Sequence, residues 1–353
     1  MATLCLAQSL NDLKIRLGNI VVAKSMMLQP VTAKQLGAVE AMALVLKDAI
    51  KPNIVQTLDG TPALVHGGPF ANIAHGASSV ISVKMALRCA DYIVTEGGFG
   101  ADLGFEKYCD IVCRYNPELA PDAVVLVATV KALKLHGGKD KAELNQIDLS
   151  AIEKGFVNLD RHMQNIGKYG LNAVVCLNKY KGDTEEEITH VLEICKSRKY
   201  QACVADVWSH GGTGAPELAD LVIQVSDRSN QFKPIYEISQ NIEEKISAVA
   251  TQIYGAVGVS FSPSAKKELR WLEKNGLSGM PVCIAKTQYS FSDDASLVGA
   301  PTGFEIKVKQ LKLSAGAGFI VAISGDILTM PGLSKTPAAQ RMRLSNAGEI
   351  DTL

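Results

Sequence analysis

The sequence carries no surplus charge of either sign, since thirty-six lysines and arginines meet thirty-six aspartates and glutamates. No overall field therefore draws the chain to nucleic acid or to an anionic membrane. Long apolar runs are missing too: stretches such as Ala123 to Ala128 fall far short of the about 20 residues that cross a bilayer. The opening residues, MATLCLAQSL, contain none of the basic charge that begins a secretory signal. Cys5, Cys89, Cys109, Cys113, Cys176, Cys195, Cys203 and Cys283 are scattered through mostly apolar surroundings, without disulfide-framework or zinc-site spacing, and read as buried thiols of a cytoplasmic protein. No GxxxxGK[ST] occurs in the chain, which excludes a self-contained P-loop nucleotidase. Internal repeats and low-complexity segments are absent as well.

What is present is a chain of 353 residues, 47% apolar, enough to fill two or three domains. It is organised around Lys51 to Ser79, KPNIVQTLDGTPALVHGGPFANIAHGASS. Two β-type apolar runs, Asn53 to Thr57 and Pro62 to His66, end in Gly60, Gly67, Gly68, Pro69 and Gly76, residues that turn the backbone or let it approach a ligand closely. The expected result is a polar loop hung on buried strands. Thr57, Thr61, His66, Asn72 and His75 supply hydroxyl, amide and imidazole groups suited to a small polar ligand. A tight structural turn with core histidines is the equal alternative.

Elsewhere strands and helices alternate, which predicts an α/β fold with a mainly parallel sheet. Helices are expected at Leu4 to Leu17, the first with no N-cap ahead of it, and at Ala33 to Lys47, Ser79 to Arg88 and Phe105 to Cys113. Asp91 to Thr95 reads as a short buried strand, and the continuously apolar Ala123 to Thr129 as a parallel strand covered on both faces. Ser150 to Lys168, strand Asn172 to Asn178, a helix opening at Asp183 and Thr184, strand Ala202 to Val207 and helix Pro216 to Val225 form a βαβα unit. Beyond it lie helices Ile242 to Tyr254 and Ser264 to Asn275, then strands Pro281 to Lys286, Thr302 to Lys309, Lys312 to Ser314 and Phe319 to Gly325 in a smaller mixed sheet. Met330-Pro-Gly-Leu333 is expected to close that core, with a surface tail from Lys335.

Three loops at strand ends can carry chemistry. Glu96-Gly-Gly-Phe-Gly-Ala-Asp-Leu-Gly104 approaches a dinucleotide loop but misses it, because Leu103 stands where the third glycine of GxGxxG belongs. Glu96 and Asp102 are ligand candidates there, against N-capping and loop hydrogen bonding. Asn178-Lys-Tyr-Lys resembles the guanine-reading NKxD, yet ends in Lys181. With Trp208-Ser-His-Gly-Gly-Thr-Gly214 it places one aromatic at each of two neighbouring strand ends, so Tyr180 and Trp208 either clamp a flat heterocycle or simply pack.

Taken together, GTPALVHGGPFANIAHG, EGGFGADLGFEK, VATVKALKLHGG, NKYKGDTEEE, VWSHGGTG, AKTQYSFSDD, PTGF and LSAGAGFIVAISGDILTMPGLSK closely resemble formate tetrahydrofolate ligases, nearest the bacterial monofunctional type. The likeness spans essentially the whole chain. Lys131 replaces the arginine of the family's VATVRALK, and Lys179 and Tyr180 stand where it has NRF. Its GEGKTT-type P-loop and GGAAGGGY stretch are not found here. The resemblance implies ATP-dependent ligation of formate to tetrahydrofolate through formyl phosphate, with magnesium accompanying ATP and a monovalent cation as a further possibility. It implies three parts: residues 1–149 as the remainder of a large P-loop-NTPase-like nucleotide domain, incomplete at its N-terminus, 150–238 as a folate-binding α/β domain and 239–353 as an α+β domain. An upstream segment or second chain would supply the phosphate-binding lysine, and a homotetramer is expected. Tyr180 and Trp208 match the family's folate-stacking aromatics. Thr61, His66, Gly67, Gly68, Asn72, Glu96 and Asp102 complete the expected substrate-binding set. A non-catalytic folate-binding or assembly module is the alternative.

Overall fold

The computed structural model describes residues 1–325, 327, 336–340, 342–346 and 350–352. Eleven strands precede residue 325: β1 (Val21–Lys24), β2 (Pro30–Thr32), β3 (Asn53–Gln56), β4 (Pro62–Val65), β5 (Val124–Ala128), β6 (Ala173–Asn178), β7 (Ala202–Ala205), β8 (Gly258–Phe261), β9 (Val282–Ala285), β10 (Glu305–Ser314) and β11 (Phe319–Ser324). They form a parallel sheet in the order β5-β6-β7, a mixed sheet in the order β8-β10-β11-β9, and two hairpins, β1-β2 and β3-β4.

The parallel sheet carries the loops that hold Tyr180 and Trp208. Mostly apolar and buried, β6 is its covered middle strand, paired with β5 through Val124↔Ala173 to Ala128↔Leu177 and with β7 through Val175↔Ala202 to Asn178↔Ala205. Helix Leu149–Lys168 starts at Asp148, whose carboxylate accepts from Ala151 N–H, and lays Ile152, Phe156, Leu159 and Ile166 into the interior. Helix Glu185–Ser197 starts at Thr184 with three glutamates in its first turn, where the helix dipole favours anions. One of them, Glu187, is buried and ion-paired to Lys134 at 2.7 Å, tying that helix to helix Val130–His136. Helix Pro216–Ser226 follows β7 and closes the unit.

Several expectations need correcting. β5 is an edge strand rather than a fully covered one, and Val127 on it is 60% exposed. Residues 91–95 form no strand: with no partner to complete a ladder, Tyr92 and Val94 stay exposed. β3 and β4 are not buried; every residue of β3 is exposed. The N-terminal helix divides into Ala2–Cys5 and Leu10–Gly18, and the second part does have an N-cap, the Ser9 side chain accepting from Asp12 N–H. Ala33 to Lys47 is helical only over Val39–Leu46. Residues 101–113 widen into two π-helical stretches, Ala101–Phe105 and Tyr108–Cys113. β10 runs unbroken through both strands expected between 302 and 314. All eight cysteines are free, and Cys89 is exposed. Met330 to Leu333 lies outside the described residues. Among the described residues no helix is long and apolar enough to cross a membrane.

The mixed sheet pairs β10 with β8 and β11 with β9 in parallel, and joins β10 to β11 as a hairpin through Ser314↔Phe319. Its inner face shares one core with helices Ile242–Val249 and Pro263–Lys274 and with the packed residues Ile166, Tyr169 and Leu171. The only tryptophan of that core, Trp271, donates its indole N–H to Leu28 O and lies under the Lys24 ammonium, 3.8 Å from the ring centre.

Candidate functional site

Parallel α/β sheets open their ligand crevices at the carboxyl ends of the strands. Here β6 and β7 end side by side, with Lys179 N–H donating to Ala205 O at 2.9 Å. The chain leaving β6 turns at once: Tyr180 N–H donates to the Asp183 carboxylate at 2.9 Å, and Gly182 takes φ +103°, a conformation other residues resist. Lys179 pairs with Glu185 at 2.7 Å. Leaving β7, Asp206 caps the short helix Val207–His210 by accepting from Ser209 N–H, and Asp206 N–H donates to Gly214 O at 2.9 Å, so the loop closes on itself. The Asp206 carboxyl is held below its usual range chiefly by the Ser209 hydrogen bond.

Between these loops lies a cleft of about 340 Å³ lined by Lys179, Tyr180, Lys181, Gly182, Asp183, Asp206, Trp208 and Ser209. Tyr180 is 49% exposed and Trp208 87%. Burying an aromatic ring is strongly favourable, so a tryptophan left almost wholly in water is not part of the core. A second hollow, about 390 Å³, is lined by Leu149, Glu185, Glu186, Thr189, His190 and Glu193. Three carboxylates and no large aromatic ring make it unsuited to a flat heterocycle.

The other candidates from the sequence separate into three groups. Thr61 sits at the exposed tip of the β3-β4 hairpin, its N–H held by Thr57 Oγ1 at 3.0 Å. That tip reaches the folded loop after β7, where the Asp59 carboxylate accepts from Gly212 N–H at 3.2 Å. His66 is engaged inside the protein: Nε2 donates to Ala49 O at 2.7 Å, so in the neutral ring Nδ1 accepts from the Ser79 hydroxyl at 2.6 Å. Gly67 and Gly68 take φ +73° and +134°, and a Cβ on Gly67 would lie 2.1 Å from Cys5 Sγ, so helix Ala2–Cys5 rather than a ligand requires that glycine. Asn72 and His75 are buried, and among the described residues neither Asn72 Oδ1 nor either ring nitrogen of His75 has a hydrogen-bond partner; burial pulls the His75 pKa down to about 4, leaving the ring neutral. Glu96 lies on an exposed stretch.

Asp102 belongs to a buried charged belt that the sequence did not disclose. Its carboxylate meets Lys286 Nζ at 2.7 Å, and the same ammonium donates to Thr287 O and Ser290 O. Burial alone would raise the Asp102 pKa, but Lys286 outweighs it and holds the carboxyl low. Burial also pulls on Lys286 in the opposite sense; three acceptors around Nζ keep the pair ionised, since a neutral amine would leave them poorly matched. Farther along the same segment, Asp110 accepts from Tyr169 Oη at 2.8 Å and from Ile235 N–H at 2.9 Å, and pairs with Arg114 at 3.3 Å. Burial nevertheless pushes its pKa up to about 6. Glu106 between them is fully buried with both oxygens unpartnered, and burial, then the neighbouring Asp110, raises its pKa well above normal so that it carries a proton. Lys107 donates to Ala71 O at 2.8 Å, linking the belt to the loop around His75. AKTQYSFSDD contains Lys286, but nothing in that motif names a partner 184 residues upstream.

Among the described residues no group of three His, Cys, Asp or Glu comes together in a way that could hold a metal ion. A family model described as Formate--tetrahydrofolate ligase matches residues 1–353, a reaction that takes ATP, formate and tetrahydrofolate as substrates. The chain belongs to the formate--tetrahydrofolate ligase family of carbon–nitrogen ligases.

Proposed function

We propose that the cleft at the ends of β6 and β7 binds tetrahydrofolate, with Tyr180 and Trp208 on opposite faces of the pterin. The observation that carries this is Trp208, 87% exposed in a cleft it shares with Tyr180. Strand ends about 4.8 Å apart allow two side chains to reach across a planar ring. The paired loops give the ring polar neighbours in Asp183, Asp206 and Ser209.

In this reading ATP, as its magnesium complex, converts formate to formyl phosphate, and the folate N10 amine displaces phosphate to give 10-formyltetrahydrofolate. Activation is needed because a carboxylate is a poor electrophile, and phosphoryl transfer demands cations and N–H donors around the phosphates. No GxxxxGK[ST] P-loop occurs in the sequence. Residues 1–149 then belong to the nucleotide side, 150–238 to the folate side and 239–353 to the supporting α+β part, in a cytoplasmic homotetramer. Binding titrations with tetrahydrofolate test the cleft directly. Trp208→Ala should weaken binding by about one to two orders of magnitude. Equal affinity in a folded variant would reject the aromatic clamp.

The alternative, a folate-binding module without catalysis, draws on the same missing P-loop. Formate-dependent and folate-dependent ATP turnover by the purified chain separates the two. Turnover by the purified chain would support the ligase reading, and tetrahydrofolate binding without turnover would support the module.

A further inference from the structure

Trp208 has a difficulty of its own. A ring 87% exposed receives little positional support from packing, so the backbone beneath it must supply that support. The base of its loop is fixed by Asp206 N–H to Gly214 O and by Thr213 Oγ1 donating to His210 O at 2.7 Å. Its outer turn is held from elsewhere, by the Asp59 carboxylate accepting from Gly212 N–H at 3.2 Å across 153 residues of sequence.

Asp59 is presented with little freedom. Its hairpin tip is cross-linked internally by Thr57 N–H to Thr61 O, Gly60 N–H to Thr57 O and Thr61 N–H to Thr57 Oγ1, each at 3.0 Å. The flanking ladder runs from Asn53↔Val65 to Gln56↔Pro62. The hairpin does not bury its own apolar residues, as Ile54 is 67% exposed and Val65 54%, so its side chains form little of the core. The receiving turn is glycine-rich for a reason: Gly211 takes φ +58°, and a Cβ on Gly212 would crowd Asp59 Oδ2 at 3.1 Å and push the carboxylate back.

We infer that Asp59 is a positioning residue for the folate cleft: its carboxylate pins the Gly211–Gly214 turn and thereby holds Trp208 opposite Tyr180. The inference rests on the folate reading above. Asp59 acts through the loop and does not touch the substrate.

The test uses the whole chain, with Trp271 retained as a buried internal reference, and reads two quantities. Acrylamide quenching and fluorescence anisotropy report Trp208 without ligand; titration with tetrahydrofolate reports the cleft. In Asp59→Ala the exposed tryptophan should become more mobile and tetrahydrofolate affinity should fall about tenfold, the effect of losing one hydrogen bond to a charged group. Asp59→Asn keeps an oxygen acceptor and should stay within about threefold of the parent protein. Gly212→Ala, which pushes the carboxylate away from the other side, should reproduce Asp59→Ala. Unchanged Trp208 mobility in Asp59→Ala, or equal losses in Asp59→Ala and Asp59→Asn, would overturn the pin. A freed Trp208 with unchanged affinity would leave the pin standing and reject the folate cleft instead.

Discussion

Two polar regions of this molecule look alike in sequence and behave oppositely in structure. Around Tyr180 and Trp208, large rings stand in water and the loops beneath them satisfy their own hydrogen bonds. Around Asp102, Lys286 and Asp110, charged groups are withdrawn from water and consume one another's hydrogen-bonding capacity. Unused apolar surface facing solvent is available to a ligand, whereas a buried ion pair with its acceptors filled is committed to the fold. Glycine-rich motifs surround both regions, so motif density alone does not separate binding from support.

The sharpest way to break this comparison is to remove one partner of the buried pair. Lys286→Met leaves Asp102 as an uncompensated internal charge and should cost about 3–5 kcal/mol of stability or abolish folding. Chemical denaturation or the soluble yield reads it; a variant that unfolds like the parent would mean the belt is not structural. Next in size is a pH effect from Asp110. Its folded pKa, about 6, lies above the ordinary value of 3.8, so the folded state holds the proton more tightly. Its contribution to stability is therefore greatest below pH 4 and declines as pH rises toward and through 6. The stability difference between the parent and Asp110→Asn should fall by up to about 3 kcal/mol between pH 4 and pH 7. Asp102 has the opposite sign: its contribution is present above pH 4 and is lost as pH falls below that. A difference that grows toward neutrality would contradict the assignment for Asp110.

At the open cleft the effects should be smaller and should appear in binding rather than in folding. Trp208→Ala is expected to lose affinity for tetrahydrofolate by about one to two orders of magnitude without lowering the melting temperature. Trp271→Ala should do the reverse, because that ring is buried and its N–H is spent on Leu28 O. The smallest change is expected from Tyr180→Phe, which keeps the stacking face and should shift affinity by no more than about twofold. A loss as large as that of Trp208→Ala would mean the hydroxyl itself contacts the ligand.

How far the sequence discloses each part depends on where the information lies. Helix 149–168 and strand 173–178 are visible through local periodicity, a signal carried within a few residues. Tyr180 and Trp208 are legible as a pair because both follow buried strands of one unit, though only exposure distinguishes them from packing. Residues 91–95 have the composition of a strand, but a strand exists only with a partner, and composition does not name one. Asp102 and Lys286, or Asp59 and Gly212, meet across long stretches of chain and leave no mark in the local pattern.

The widened helix at residues 101–113 has a consequence for how this protein can change over generations. A π-helical turn holds one residue more than an α-helical turn, and here it carries Asp102, Glu106 and Asp110 along one buried segment, with Asp102 and Asp110 reaching partners elsewhere in the chain. An ordinary α-helix that loses one residue turns everything beyond the deletion by about 100°, whereas removing the extra residue of a π-helical turn returns that turn to α-helix and leaves its flanks near their original phase. A one-residue deletion between Asp102 and Asp110 is therefore compatible with Asp102 still meeting Lys286 and Asp110 still meeting Tyr169 and Ile235, so this stretch can lose a residue where an ordinary helix could not.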